Sequence, residues 1–394
     1  MSATRRRVSL QVLSAATVAF VLVACASAPP PFVERPEAPL FADARFGKPT
    51  EPVSTDRVFE VSDAMRRYLQ ADIAHQLRTE GTKNGLIQAL YQKTQLKLEY
   101  DSRMTKTAAE TFAARSGNCL SLVIMTAALA KELRLPVYYQ SAILDETWSR
   151  TGSLLFASGH VNLTLGHRNI SGGINRDLKS TTIDFLPPEE TRGMRTRVIE
   201  EETVVAMYAN NRAAEALVGG RLDDAYAWTR EALRRDPSFM SALNTLGVVY
   251  LRHGDVELAT RAFDRVLTAE PSNTRALANM AEARERQGRN GDAAQLRARL
   301  AKIEATPPFH FFNLGMAAMQ RNDYLSARDN FAREVARADY YHEFHFWLGV
   351  ADWRLGDVDA ARKHLKIAMS NSTTRGQHDL YAAKLDWLQA HANP

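Results

Sequence analysis

Cysteine is nearly absent from this chain, whose 394 residues carry two, Cys25 and Cys119. A fold stapled by several disulfides is excluded, so the body must stand on its apolar core. No phosphate-cradling glycine loop is present, and His342 and His345 have no clustered partners that would make a metal site. Neither a metal nor a cofactor is expected. Charge of one sign is scarce too: the formal net charge of +5 is too small to imply a nucleic-acid partner. The apolar stretch from Val8 to Val23 is too short to span a bilayer comfortably. The length of the chain nonetheless points to two or more domains.

What is present begins at the N-terminus. Arg5, Arg6 and Arg7 precede that apolar stretch, and small residues follow it, the layout of a removable export signal. Leu22-Val23-Ala24-Cys25 resembles the lipobox of bacterial lipoproteins. The resemblance implies that residues 1–24 are removed and that Cys25 becomes a lipidated N-terminus held by the membrane. Ala26 is not the aspartate associated with inner-membrane retention, so the expected address is the outer membrane, facing the periplasm. Processing lowers the net charge to about +2, because residues 1–24 hold three arginines and no acid. Cys119 is then left without a disulfide partner in an oxidising compartment. Residues 25–54 hold Pro29, Pro30, Pro31, Pro36, Pro39, Pro49 and Pro52, and are expected to form an extended, semi-rigid spacer.

The C-terminal half is periodic. Residues 206–375 divide into blocks of 34 beginning at Ala206, Met240, Thr274, Pro308 and His342, the period of tetratricopeptide repeats. In the second block Leu246, Gly247 and Tyr250 precede a turn at Gly254, with Ala259, Phe263 and Pro271 beyond it. Leu314, Gly315, Ala327 and Phe331 repeat this register, as do Leu348, Gly349, Gly356, Ala361 and Leu365. The block at Thr274 keeps Ala281, Gly288 and Ala293 but little else. The resemblance implies an all-α solenoid over residues 203–375, a capping helix within 376–394, and a groove that binds a protein or peptide partner.

Residues 55–202 read differently. Val58, Val61, Met65 and Leu69 suggest an amphipathic helix, and Leu86, Ile87, Leu90 and Tyr91 another. The run from Cys119 to Leu133 is apolar on nearly every face, as a central buried helix would be. Pro136 ends it, and Val137 to Leu144 reads as a strand. His160-Val161-Asn162-Leu163-Thr164-Leu165 alternates, so His160, Asn162 and Thr164 share one face. Thr181 to Leu186 alternates likewise, with Asp184 opposite Ile183 and Phe185. Helices followed by strands indicate an α+β domain.

A thiol nucleophile requires a base and a group that orients that base. Cys119 opens the buried helix, where the dipole and backbone N–H groups favour thiolate and could hold an oxyanion. His160 could serve as the base and Asp184 as its orienting acid; His167 and Asp177 are rivals for these roles. Trp148 could line a cleft, a core or a lid. Gly117-Asn118-Cys119 at a helix start, Gly159-His160 opening a strand and Asp184 on a later strand resemble the transglutaminase-like domain of the papain-fold superfamily. Cys119-Leu120-Ser121-Leu122 and Leu133-Arg134-Leu135-Pro136-Val137 are similar to a bacterial branch of it, with Arg134 where glycine is usual. The resemblance implies a catalytic Cys119, His160 and Asp184, and a transglutaminase-like cysteine protease or acyltransferase acting on an amide through a thioester. The competing reading is a catalytically inactive adaptor that scaffolds an envelope protein complex through its repeats.

Overall fold

The computed structural model describes residues 40–91, 98–100, 104–143, 147–151, 154–158, 160–166, 180–185, 195–306, 309–372 and 375–391. Cys25, His167 and Asp177 lie outside them, as does the side chain of Trp148.

Short helices open the N-terminal region: α1 (Asp63–Arg67), running into a π-helical turn at Tyr68–Asp72, α2 (Ala74–Thr79) and α3 (Thr82–Tyr91). A two-residue strand β1 (Glu99–Tyr100) pairs in parallel with β2 (Ser116–Gly117), and between them lies α4 (Ala108–Ala114). Helix α4 starts on a reciprocal cap, with the Thr107 hydroxyl accepting from the Glu110 amide and the Glu110 carboxylate accepting from the Thr107 amide.

The centre of the region is α5 (Cys119–Glu132), buried from Leu120 through Ala130. Each large apolar side chain there contributes about 1.5–3 kcal/mol on leaving water. Its end is a Schellman turn: Arg134 N–H donates to the Lys131 carbonyl at 2.8 Å and Leu135 N–H to the Ala130 carbonyl at 2.9 Å. The turn needs a left-handed residue, and Arg134 takes it at φ +58°. Pro136 then prevents continuation.

Strand β3 (Val137–Ile143) is followed by the hairpin pair β4 (Thr147–Thr151) and β5 (Leu154–Ser158), then by β6 (Val161–Leu165), β7 (Thr181–Ile183) and β8 (Arg195–Ile199). The main sheet has the order β7-β6-β3-β8, antiparallel throughout. The register pairs Gln140 with Asn162 and Leu163 with Ile183. Every residue of β6 is buried, so its alternation separates an apolar face from a polar one that is also shielded from water. Strand β7 ends at Ile183, earlier than the alternation predicts, which leaves Asp184 at the start of a bend.

Helix pairs make up the rest: α6 (Glu201–Val218) with α7 (Leu222–Arg235), α8 (Met240–His253) with α9 (Val256–Ala269), α10 (Thr274–Arg286) with α11 (Asn290–Ile303), α12 (His310–Gln320) with α13 (Tyr324–Arg337), and α14 (His342–Arg354) with α15 (Val358–Ser370). A last helix, α16 (Arg375–His391), packs Leu385 and Leu388 against Ala361 and Leu365. Small residues set the approach of the paired helices. A Cβ on Gly247 would lie 2.3 Å from the Phe263 ring, and one on Gly315 would lie 2.5 Å from the Phe331 ring. The third pair has Arg284 and Arg297 where the second has Tyr250 and Phe263. Without those rings a cleft of about 550 Å³ opens among Asp264, Leu267, Met280, Arg284, Leu296 and Arg299.

Two joints differ from the sequence-based expectation. Only Glu200 separates β8 from α6, so the expected domain boundary at residue 202 falls inside the first repeat helix. The supposed spacer, from Phe41 onward, is a strap laid on the first helix pairs. Phe46 stacks on Tyr226 with ring centroids 3.9 Å apart, and Glu51 accepts from Arg212 Nη2 and Trp228 Nε1, each at 2.8 Å. Thr50 donates to Asp224, Thr55 donates to Glu231, and Tyr226 donates to Asp43. The strap's only helical turn is a short 3-10 turn at Asp43–Arg45, and its prolines do not prevent docking.

Candidate active site

Helix α5 presents Cys119 in its first turn because Asn118 caps it: the Asn118 side-chain oxygen accepts from the Ser121 amide at 2.9 Å and from the Ser121 hydroxyl at 2.8 Å. That cap requires Gly117, where a Cβ would fall 2.7 Å from Cβ of Ser121. Cys119 is half-buried, and the first-turn amides point out of the helix end beside it.

His160 precedes β6 and Asp184 follows β7, and the pairing of these strands brings them together. His160 Nε2 lies 2.8 Å from both carboxylate oxygens of Asp184. Asn162, on the same face of β6 as His160, donates from Nδ2 to Asp184 at 3.0 Å. Beyond it, Gln140 Nε2 donates to Thr164, whose hydroxyl meets that of Thr182 at 3.0 Å. Within this row His160, Asn162 and Thr164 are buried, His160 being 3% and Asn162 4% exposed, whereas Thr182 at the sheet edge is exposed.

The remaining ring nitrogen of His160, Nδ1, is buried and makes no hydrogen bond of normal geometry, yet the Cys119 sulfur is close enough to act on the imidazole. Burial depresses the His160 pKa; the hydrogen bond to Asp184, the contact with Cys119 and the charges of both outweigh it and hold the value up at about 9. The imidazole is thus cationic at neutral pH.

The structure thus brings His160 and Asp184 into contact and sets Cys119 close enough to act on the same imidazole, whereas the rivals His167 and Asp177 lie outside the described residues. Asn162 was assigned a face but no role, and Thr105 carried no signal at all. Thr105 reaches the site through its hydroxyl, which accepts from Asn118 Nδ2 at 2.9 Å. In the repeats, His345 has Nδ1 3.1 Å from His364 Nδ1 and Nε2 2.8 Å from the Asp339 carbonyl. His342 meets the Tyr381 hydroxyl at 2.7 Å.

Comparison with known proteins bears on the helical half. Solved structures similar to this chain include the MamA protein, at 17% identity over 44% of this chain and 93% of that one, with a TM-score of 0.25. A thermophilic tetratricopeptide-repeat protein of Thermus thermophilus is 18% identical over 46% of this chain and 98% of its own, with a TM-score of 0.29. PilF of Pseudomonas aeruginosa is 17% identical over 50% and 96%, with a TM-score of 0.27. No curated protein matches the chain. The Tetratricopeptide repeat family model matches residues 244–308 and 312–372. The chain thus carries, in its C-terminal half, tetratricopeptide repeats, a helical architecture suited to protein–protein interaction.

Proposed function

We propose that residues 55–202 form a transglutaminase-like cysteine enzyme of the papain-fold superfamily, with Cys119 as nucleophile, His160 as base and acid, and Asp184 as the orienting group. The observation that carries this reading is the buried His160, held by Asp184 through Nε2 with the Cys119 sulfur close enough to act on the same imidazole. The thiolate attacks the carbonyl carbon of a protein or peptide amide, and the amides at the start of α5 that Asn118 does not occupy receive the negative charge that develops on oxygen. The C–N bond breaks as the His160 cation gives its proton to the departing nitrogen, which leaves as ammonia or an amine, and a Cys119 thioester remains. Neutral His160 then takes a proton from incoming water or amine, which attacks the thioester and restores the thiol. Water gives hydrolysis and an amine gives transamidation.

The repeats bind a protein partner or deliver the protein substrate. Cys25 anchors the chain by lipid to the outer membrane, on its periplasmic side. Iodoacetamide should label the wild-type protein at Cys119 at neutral pH many times faster than free cysteine. Labelling and turnover should both vanish in Cys119→Ala. A wild-type thiol that reacts no faster than free cysteine would overturn the enzymatic reading and leave the repeats as an adaptor with an inactive head.

A further inference from the structure

The turn that holds Cys119 is not supported by its own domain alone. Asn118, the cap of α5, donates through Nδ2 to the Thr105 hydroxyl at 2.9 Å, and Thr105 is 1% exposed. The Thr105 amide donates in turn to Glu215 Oε1 at 2.7 Å, and Glu215 stands on α6, the first repeat helix. Next to Thr105, the Lys106 amide donates to the Ser121 hydroxyl at 2.9 Å, so the same loop grips the first turn of α5 at two points. Glu215 is itself held from the repeat side. Its Oε2 lies 3.6 Å from Arg212 Nη1, and Arg212 Nη2 donates to Glu51 of the strap at 2.8 Å. A continuous line of polar contacts thus runs from the strap and first repeat helix to the residue preceding Cys119.

We propose that Glu215 is a positioning residue for Cys119, acting through Thr105 and Asn118, so that the repeat array sets the geometry and reactivity of the thiol. This rests on the reading of Cys119 as a nucleophile. Nothing else in the described contacts of Asn118 reaches outside the α5 turn, so the Thr105 hydroxyl carries the link from Glu215 to the cap. Removing the Glu215 carboxylate releases the Thr105 amide, slackens the loop and loosens the cap. Glutamine retains an acceptor oxygen for that amide and so preserves the link.

The test uses the full chain. In Glu215→Ala the second-order rate of Cys119 alkylation by iodoacetamide at pH 7 should fall about five- to tenfold. Its pH profile should move upward, and the Ser121 amide should exchange hydrogen faster. Glu215→Gln should keep all three near wild type, which a loss of bulk packing would not predict. Thr105→Val, which leaves Glu215 in place, should reproduce the Glu215→Ala effects, and the double variant should be no slower than either single one. Thr105→Val carries the test if Glu215→Ala does not fold. A folded Glu215→Ala protein with wild-type alkylation, pH profile and exchange overturns the proposal, and so do effects that multiply in the double variant. A wild-type thiol of ordinary reactivity would instead sink the enzymatic reading alone, because Ser121 exchange still decides whether Glu215 controls the turn.

Discussion

His160 gives the site a pH signature in stability as well as in chemistry. Its pKa rises from 6.5 to about 9 because Asp184 and Cys119 together outweigh burial. A raised folded-state value means that the contribution to stability is complete below about pH 6.5 and is lost as pH climbs through about 9. Unfolding midpoints in urea should therefore decline across that window in the wild type and decline less in Asp184→Asn; parallel profiles would show that the ion pair does not set the titration. Arg134 is a second residue with a specific cost, an exposed side chain held at φ +58° at the end of α5. Arg134→Gly should raise stability by about 1 kcal/mol, read from the same midpoints. Asn118 stood at the expected start of α5, and its capping role comes from the structure, asparagine being among the residues preferred there. The bond from Asn162 to Asp184 was not readable. Alternation assigns a face to Asn162, and only the pairing of β6 with β7 supplies its neighbour.

At the scale of elements, the repeat register was legible because packing repeats it. Gly247 and Phe263 occupy the same relation as Gly315 and Phe331, one ring lying against one bare backbone. Gly247→Ala should cost about 1–3 kcal/mol through overpacking. The smaller Phe263→Leu should recover part of that loss in the double variant, as thermal unfolding would report; no recovery would place the strain elsewhere. The third pair was legible as degenerate but not as open. Arginines at the two ring positions announce missing apolar contacts, whereas the cleft they leave depends on how α9, α10 and α11 are spaced. The strap was hidden for another reason. Its docked groups, Asp43, Phe46, Glu51 and Thr55, follow no period, and their partners lie more than 160 positions away in the chain.

At the scale of the molecule, those contacts tie residues ahead of the first domain to the repeats behind it. A chain shortened to begin at Arg57 should melt several degrees lower than one beginning at Phe41, since it loses the Phe46 stack and the acceptors for Arg212 and Trp228. Equal melting temperatures would reduce the strap to a surface ornament. The order of helices, sheet and repeats was legible from hydrophobic period alone. The absence of a gap between sheet and repeats was not, because a boundary drawn from composition falls where the pattern changes rather than where the backbone is unsupported.

The single residue between β8 and α6 matters for how this protein can be reassembled. Repeat arrays are ordinarily interchangeable parts, cut out and transplanted at a loop. Here Glu201, the first residue of the array, already accepts from Tyr139 of the central strand and from Lys131 of α5. A chimera given another array at this point would remove a support of the sheet itself. Exchange of repeats is therefore confined to the pairs beyond α7, and the first pair must travel with the sheet.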